Sequence, residues 1–168
     1  TPGKLVIEVQ DDGRAPGTYR ADIAIRAAGM EFALPVELQV FPLTIAKMLA
    51  DAERPRIYAL VKGTEPSPYG FLISIDTEGE EMEKLLPLAP DPKDLTIAYG
   101  EGRLYIASGD RAEAAAIDLA TLAELPPVPL AAPALTIDAG RAGRLYWETG
   151  AASYLHVVDT ATGEELSK

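Results

Sequence analysis

Hydrophobic and polar residues alternate in the first 42 positions of the chain. Apolar residues occupy every second position of Thr18–Arg26 and of Glu31–Phe41. Strict alternation is typical of a strand with one covered face. Together with the apolar run Leu5–Gln10, these segments predict three strands, joined by turns at Asp12-Gly13 and Ala28-Gly29.

From residue 43 onward, the alternation gives way to apolar runs of five or six residues separated by glycine-containing turns. This pattern predicts strands buried on both faces. The clearest unit has four such strands: Leu95–Tyr99, Arg103–Ala107, Ala114–Asp118 and Leu122–Leu130. We expect no helix longer than about ten residues, because helical composition is confined to the short stretches Lys47–Asp51 and Arg111–Ala116.

Three sequence marks recur in the same order three times, which indicates an internal repeat. They are Leu-Thr-Ile from Leu43, Leu95 and Leu135, Arg-x-Tyr from Arg56, Arg103 and Arg144, and a strand-end aspartate at Asp76, Asp118 and Asp159. The repeat predicts units at 43–90, 91–131 and 132–168, the last of them incomplete. The first unit is longer than the others both before and after Arg56.

At these marks the chain resembles the repeats of YVTN-type and quinoprotein-type β-propellers. The third unit is the most similar, through Gly143–Trp147 and Val157–Glu164. The resemblance covers residues 43–168 and implies a partial propeller of about 2.7 four-stranded blades. It implies no particular activity, because propeller blades serve many functions.

The first 42 residues resemble the carboxyl half of a bacterial immunoglobulin-like (BACON-like) domain. Ala15–Tyr19 before a strand and Leu34–Val40 as the last strand carry the resemblance. It implies part of a β-sandwich that ends near Phe41-Pro42, in an all-β chain. Because such a sandwich needs about seven strands, we expect the chain to begin inside the domain.

Composition excludes several kinds of partner and site. A net charge of −11 and a pI near 4.5 disfavour nucleic acid and anionic lipid as partners, and we expect no membrane insertion. The chain has no Cys and one His, which excludes disulfides, thiolate sites and multi-histidine zinc sites. We therefore expect no cofactor, metal or catalytic residue. The 14 prolines fit either a heat-adapted source or a codon bias.

The repeated polar residues are interpreted as structural. Each aspartate ends a strand, where its carboxylate can accept N–H groups of the following turn. We expect the arginines to pair with acidic neighbours, and Tyr58, Tyr105 and Tyr146 to pack between blades. Trp147 and His156 are interpreted as packing residues.

A longer connection in the first unit is the candidate binding site. The segment Lys62–Gly70 joins the second and third strands, and function in propellers is carried by such loops. The predicted contacts to a protein or carbohydrate ligand are Lys62, Thr64, Glu65 and Tyr69.

Three functions stay open at this point. The favoured one is a noncatalytic binding or scaffold module of a secreted or cell-surface bacterial protein. The alternatives are the propeller of a quinoprotein-like or lactonase-like enzyme, and a structural subunit of a filament or surface layer. In each case, we expect the end blades to pack against the remainder of the same polypeptide or against other copies.

Overall fold

The computed structural model describes residues 17–27, 29–40, 43–63, 70–150 and 154–167. The chain divides into two compact units, Thr1–Pro42 and Leu43–Lys168. In the described part, the regular structure is β-strand apart from one turn of 3-10 helix, Tyr99–Glu101. No helix in that part is long and apolar enough to span a membrane.

The described part of the first unit is an antiparallel hairpin. Strand β1 (Gly17–Ala27) pairs along its whole length with β2 (Met30–Val40), and the alternate apolar positions of the two strands lie opposite each other. Gly29, in the connecting turn, has a φ of +80°, a conformation that favours glycine. The predicted strand Leu5–Gln10 lies outside the described residues.

The second unit holds three four-stranded antiparallel sheets, each with its strands in chain order. Sheet 1 is β3 (Leu43–Ala50), β4 (Arg56–Gly63), β5 (Gly70–Asp76) and β6 (Glu81–Leu88). Sheet 2 is β7 (Pro92–Ala98), β8 (Arg103–Ser108), β9 (Glu113–Asp118) and β10 (Glu124–Pro129). Sheet 3 is β11 (Thr136–Ala139), β12 (Arg144–Glu148), β13 (His156–Asp159) and β14 (Glu165–Ser167).

This arrangement confirms the all-β prediction with four-stranded antiparallel sheets. Sheet 3, expected to be incomplete, has a fourth strand of three residues. Most of Lys47–Asp51 and Arg111–Ala116, the two stretches of helical composition, lies in strands β3 and β9. Apolar cover from the neighbouring strands outweighs helical propensity there.

Two of the three sequence marks occupy equivalent positions in the sheets. In every sheet, the arginine that opens the second strand lies opposite the aspartate that ends the third: Arg56 with Asp76, Arg103 with Asp118 and Arg144 with Asp159. The repeat is therefore a repeat of strand register.

The Leu-Thr-Ile mark is not equivalent among the sheets, and this corrects the sequence alignment. The first-strand residues opposite the repeated tyrosine are Leu49, Thr96 and Asp138. Leu49 thus precedes Tyr58 by as many residues as Thr96 precedes Tyr105. The extra length expected before Arg56 arises because the Leu-Thr-Ile of β3 lies five residues earlier in its strand than that of β7. A short apolar and β-branched tripeptide fits many strand positions, so its recurrence does not fix a register.

Strand β8 of the central sheet is covered on both faces. Leu104 and Ile106 belong to a core shared with sheet 1, and Tyr105 and Ala107 belong to a second core shared with sheet 3. We call these contacts the first junction (sheets 1 and 2) and the second junction (sheets 2 and 3). Alternation within one strand thereby joins three sheets.

Polar contacts also link the first strands of the three sheets. Asp94 of β7 forms an ion pair with Lys47 of β3, and its Oδ2 accepts a hydrogen bond of 3.0 Å from the backbone N–H of Ile137 in β11. The Thr96 hydroxyl donates to Asp138 Oδ1 at 3.1 Å. These bonds connect sheet 1 to sheet 2 and sheet 2 to sheet 3.

Candidate functional site

The loop expected to bind a ligand begins at the end of β4. Lys62 is half-buried and lies opposite Gly70, the first residue of β5. Thr64, Glu65 and Tyr69 lie outside the described residues. A Cβ on Gly70 would lie 2.4 Å from Pro92 Cγ, so the loop returns to the sheet through a position where only glycine fits.

In each sheet, the second strand ends and the third strand begins at the same end, which we call the loop end. In sheet 3, this end exposes three large apolar side chains: Tyr154 at 63%, Leu155 at 58% and Leu135 at 40%. Sequence reasoning missed them, because no repeat mark covers the β12–β13 connection. The signal available was the adjacent pair Tyr154-Leu155 between two strands.

The repeated aspartates lie at the opposite end, which we call the turn end. Asp118 Oδ1 accepts hydrogen bonds from the Thr121 hydroxyl at 2.8 Å and from the N–H groups of Thr121 and Ala120. These bonds, led by that of the hydroxyl, lower the pKa of Asp118.

The same turn recurs in sheet 3. Asp159 Oδ1 accepts from the N–H groups of Thr162 and Ala161, each at 2.9 Å, and this holds the pKa of Asp159 below its ordinary value. Asp76 Oδ1 accepts from the Glu78 N–H at 2.9 Å. Each aspartate therefore organises a turn.

The repeated arginines differ in what they bind. Arg56 donates to the carbonyl of Leu119 across the first junction at 2.6 Å and forms an ion pair with Glu83. Arg103 stays within sheet 2, 3.5 Å from Tyr105 Oη and 3.8 Å from Glu101 Oε2. Arg144 lies opposite Asp159 and helps to lower the pKa of that carboxyl.

The burial of each repeated tyrosine depends on whether another described sheet follows its own. Tyr58 and Tyr105 are fully buried in the two junctions, and burial raises the pKa of both phenols. Tyr105 donates to Glu101 Oε2 at 2.7 Å, whereas Tyr58 Oη has no hydrogen bond among the described residues. Tyr146, whose position has no following sheet among those described, is partly exposed.

Trp147 and His156 lie together in sheet 3. Their rings stack with centroids 4.2 Å apart, and His156 Nδ1 is 2.6 Å from Glu165 Oε1. Trp147 is 1% exposed and belongs to the second junction. Its indole N–H has no hydrogen-bond partner among the described residues.

Three adjoining cavities open along the second junction, and sequence reasoning missed them. The first, of about 470 Å³, shares Glu101 and Gly143 with the second, of about 670 Å³. The second shares Pro129 and Gly163 with the third, of about 190 Å³. We call this series of cavities the junction groove. At the first junction, a cavity of about 300 Å³ lies beside Arg56.

No group of three or more His, Asp or Glu side chains in the described part of the chain is arranged to hold a metal ion.

Comparison with solved structures identifies the fold. The chain is similar to the β-propeller domain of Myceliophteria thermophila Cps50 (TM-score 0.58, 12% identity), covering 74% of this chain and 38% of that one. It is similar to a chain of a nidogen/laminin complex, with a TM-score of 0.56 and 14% identity, over 71% of this chain and 44% of that one. It is also similar to Kuenenia stuttgartiensis hydrazine synthase, with a TM-score of 0.54 and 11% identity, over 67% of this chain and 32% of that one. All three are β-propeller proteins.

The three sheets are propeller blades. At these identities, the similarity concerns the fold alone, and the chain spans less than half of each of those three chains. No protein-family model and no curated protein matches the sequence.

Proposed function

We propose that this chain is a noncatalytic protein-binding module that acts through the loop end of its blades. The observation that carries the proposal is the exposure of Leu135, Tyr154 and Leu155 at that end. Large apolar and aromatic side chains are costly to leave in water and are enriched where proteins bind partners.

The scaffold supports this role. The connections of the loop end emerge from sheets that are packed on both sides of sheet 2, so their bases are held by buried strands. Loops on a rigid support bind with less loss of conformational entropy. Of the predicted contacts, Lys62 lies at this end of β4, and we include Thr64, Glu65 and Tyr69 of the connection that follows it in the proposed surface.

The finer assignments are also proposals. The residue patterns described above support a relation of residues 43–168 to YVTN-type or quinoprotein-type repeats, and an immunoglobulin-like origin for the first 42 residues. On the resemblance of the first 42 residues to an immunoglobulin-like domain directly before the blades, we also propose that the protein is secreted or lies at the cell surface. Further blades of the same polypeptide, or other copies, would cover the outer faces of sheets 1 and 3.

The test is a selection of random peptides displayed on phage against the full chain. A selected synthetic peptide, made fluorescent, is then titrated with the wild type and with Tyr154→Ser/Leu155→Ser. We expect the double substitution to weaken binding about tenfold or more, because anchor residues carry most of the binding energy.

Met82→Ser is the matched control, since Met82 is 61% exposed but lies in sheet 1 near the turn end. It should change the affinity less than about twofold. Replacement of residues 64–69 by a short Gly-Ser turn tests the second part of the surface. The proposal is wrong if no selected peptide loses affinity in either loop-end variant.

A further inference from the structure

The junction groove extends over three adjoining cavities, none of which alone is larger than an ordinary small-molecule pocket. Its middle cavity alone has about 670 Å³, and the cavities on both sides share lining residues with it. Because single-ligand pockets usually occupy about 300–1,000 Å³, a groove of three adjoining cavities is suited to an elongated ligand.

The walls of the groove let a polypeptide backbone approach closely. The turn glycines Gly100, Gly140 and Gly143 line the first cavity and present no side chain. A Cβ on Gly163 would lie 2.6 Å from Pro129 Cγ, so this glycine keeps the passage between sheets 2 and 3 in its present shape.

Strand β10 forms one wall and carries Pro126, Pro127 and Pro129. Proline has no backbone N–H, so this edge cannot add a ligand as a further hydrogen-bonded strand. A peptide in the groove must therefore be held by side-chain groups of the walls.

Glu101 offers one such group, where the first and middle cavities adjoin. Its Oε2 accepts hydrogen bonds from Tyr105 Oη at 2.7 Å and Thr160 Oγ1 at 3.0 Å, one from each sheet. No described residue donates to Oε1, and the side chain is 21% exposed. Glu101 thus presents an oriented acceptor to the groove.

Trp147 offers the complementary group in the third cavity. It lines that cavity, and its buried indole N–H lacks a partner among the described residues. An unpaired buried donor is costly, and an acceptor brought by a ligand would remove that cost. The groove therefore has an acceptor where its first and middle cavities adjoin, and beside its third cavity a buried donor that a ligand can reach only if the surrounding side chains move.

We propose that the junction groove binds an extended peptide segment of a partner protein. A peptide N–H or amine donates to Glu101, and a peptide carbonyl accepts from the Trp147 indole N–H. A carbohydrate has donors and acceptors too, but it is recognised largely by stacking on an aromatic face, and the Trp147 ring is already stacked on His156. The groove shares no lining residue with the loop-end surface of Leu135, Tyr154 and Leu155.

The test uses peptides from the same phage selection on the full chain, sorted by which variant abolishes their binding. Ala161→Trp fills the middle cavity, which Ala161 lines as an exposed residue. Ala120→Trp is the matched control, because Ala120 is the equivalent turn residue beside the cavity of the first junction. For a groove-bound peptide, we expect A161W to weaken binding about tenfold or more and A120W less than about twofold.

Two isosteric variants then test the chemistry. Trp147→Phe removes the indole N–H and should weaken peptide binding about fivefold, since one hydrogen bond is lost. Glu101→Gln keeps the shape and should weaken binding by a similar factor.

The proposal is overturned if the selection yields no peptide that A161W displaces, or if such a peptide binds W147F and E101Q with wild-type affinity. Binding of an oligosaccharide array in place of peptides, displaced by A161W, would also contradict it. Peptides lost only in Y154S/L155S support the proposed function and count against this groove.

Discussion

The two junctions of the central blade are formed by sheets of equivalent strand pairing, but they differ in which sheet contributes the large buried side chains. At the first junction, both sheets contribute large aliphatic side chains, among them Leu60, Leu72, Leu104 and Ile106. At the second, sheet 2 contributes mainly alanines, and sheet 3 supplies Trp147. Equivalent backbone positions can thus be filled by both facing sheets or mainly by one of them.

The difference extends to the rim of each junction. Arg56 crosses the first junction to the Leu119 carbonyl, whereas Arg103 stays within its own sheet beside Tyr105. Glu101 bridges the second junction instead, through Tyr105 and Thr160. The junction with small residues and no crossing arginine is the one that carries the groove. In this chain, the groove therefore lies at the junction whose side chains differ most from the pattern of the first junction.

The largest expected effect comes from removing the largest buried side chain of the second junction. Trp147→Ala should lower the free energy of unfolding by about 3–5 kcal/mol, because it leaves a cavity among alanines that cannot fill it. Leu60→Ala at the first junction should cost less, about 2–3 kcal/mol, because several aliphatic neighbours share that core. Urea denaturation measures both. Equal losses would remove the contrast between the junctions.

The second prediction moves volume across the second junction. Ala107→Leu should destabilise the chain by about 1–3 kcal/mol, because Trp147 already fills the space in front of the alanines. The double variant Ala107→Leu/Trp147→Leu should be more stable than the sum of the single effects predicts. Strict additivity in the same urea experiment would show that the two positions do not share one packed volume.

The third prediction concerns the arginines. Arg56→Met should cost about 1–2 kcal/mol, since it leaves the Leu119 carbonyl and Glu83 without their shared partner. Arg103→Met should cost less than about 0.5 kcal/mol, because its contacts are long and half-exposed. Thermal melts followed by circular dichroism compare the two. A larger loss for Arg103 would reverse the assignment of the crossing arginine.

The smallest effect is on the turns at the rim. Thr121→Val removes the hydroxyl that contributes most to the lowered pKa of Asp118, so this pKa should rise toward its ordinary value. A carboxyl with a lowered folded-state pKa stabilises the fold above its unfolded pKa. That stability is lost as the pH falls through the folded pKa, so the variant should lose it at a higher pH. Carboxyl chemical shifts during an NMR pH titration measure this, with Asp159 as the unchanged reference.

The repeat of the fold was predictable because the repeated arginines and aspartates occupy fixed positions in the strand pairing of each sheet. The arginine and aspartate marks lie opposite each other at strand ends in every blade, and each aspartate also organises the turn that follows it. The Leu-Thr-Ile mark failed, because apolar tripeptides are exchangeable along a strand. Because this mark lies at different strand positions in the sheets, it predicted an insertion before Arg56. The paired strands of sheet 1 do not contain that insertion.

The junction groove could not be predicted in the same way. It depends on Glu101, Gly143, Pro129 and Gly163 meeting across two sheets, and no local pattern in the sequence records that distance. The exposed pair Tyr154-Leu155 was visible in the sequence, but burial is decided by neighbours far along the chain. Thr64, Glu65 and Tyr69 stay predictions.

The alternation of β8 between two junctions is the most direct test of the central claim that the sheets pack in sequence as blades. With methyl-labelled leucine and ring-labelled tyrosine, nuclear Overhauser effects can be recorded for the adjacent residues Leu104 and Tyr105. We predict that the Leu104 methyls contact Tyr58 and Leu60 of sheet 1, and that the Tyr105 ring contacts Leu145 of sheet 3. Contacts of both residues to the same sheet would contradict the account.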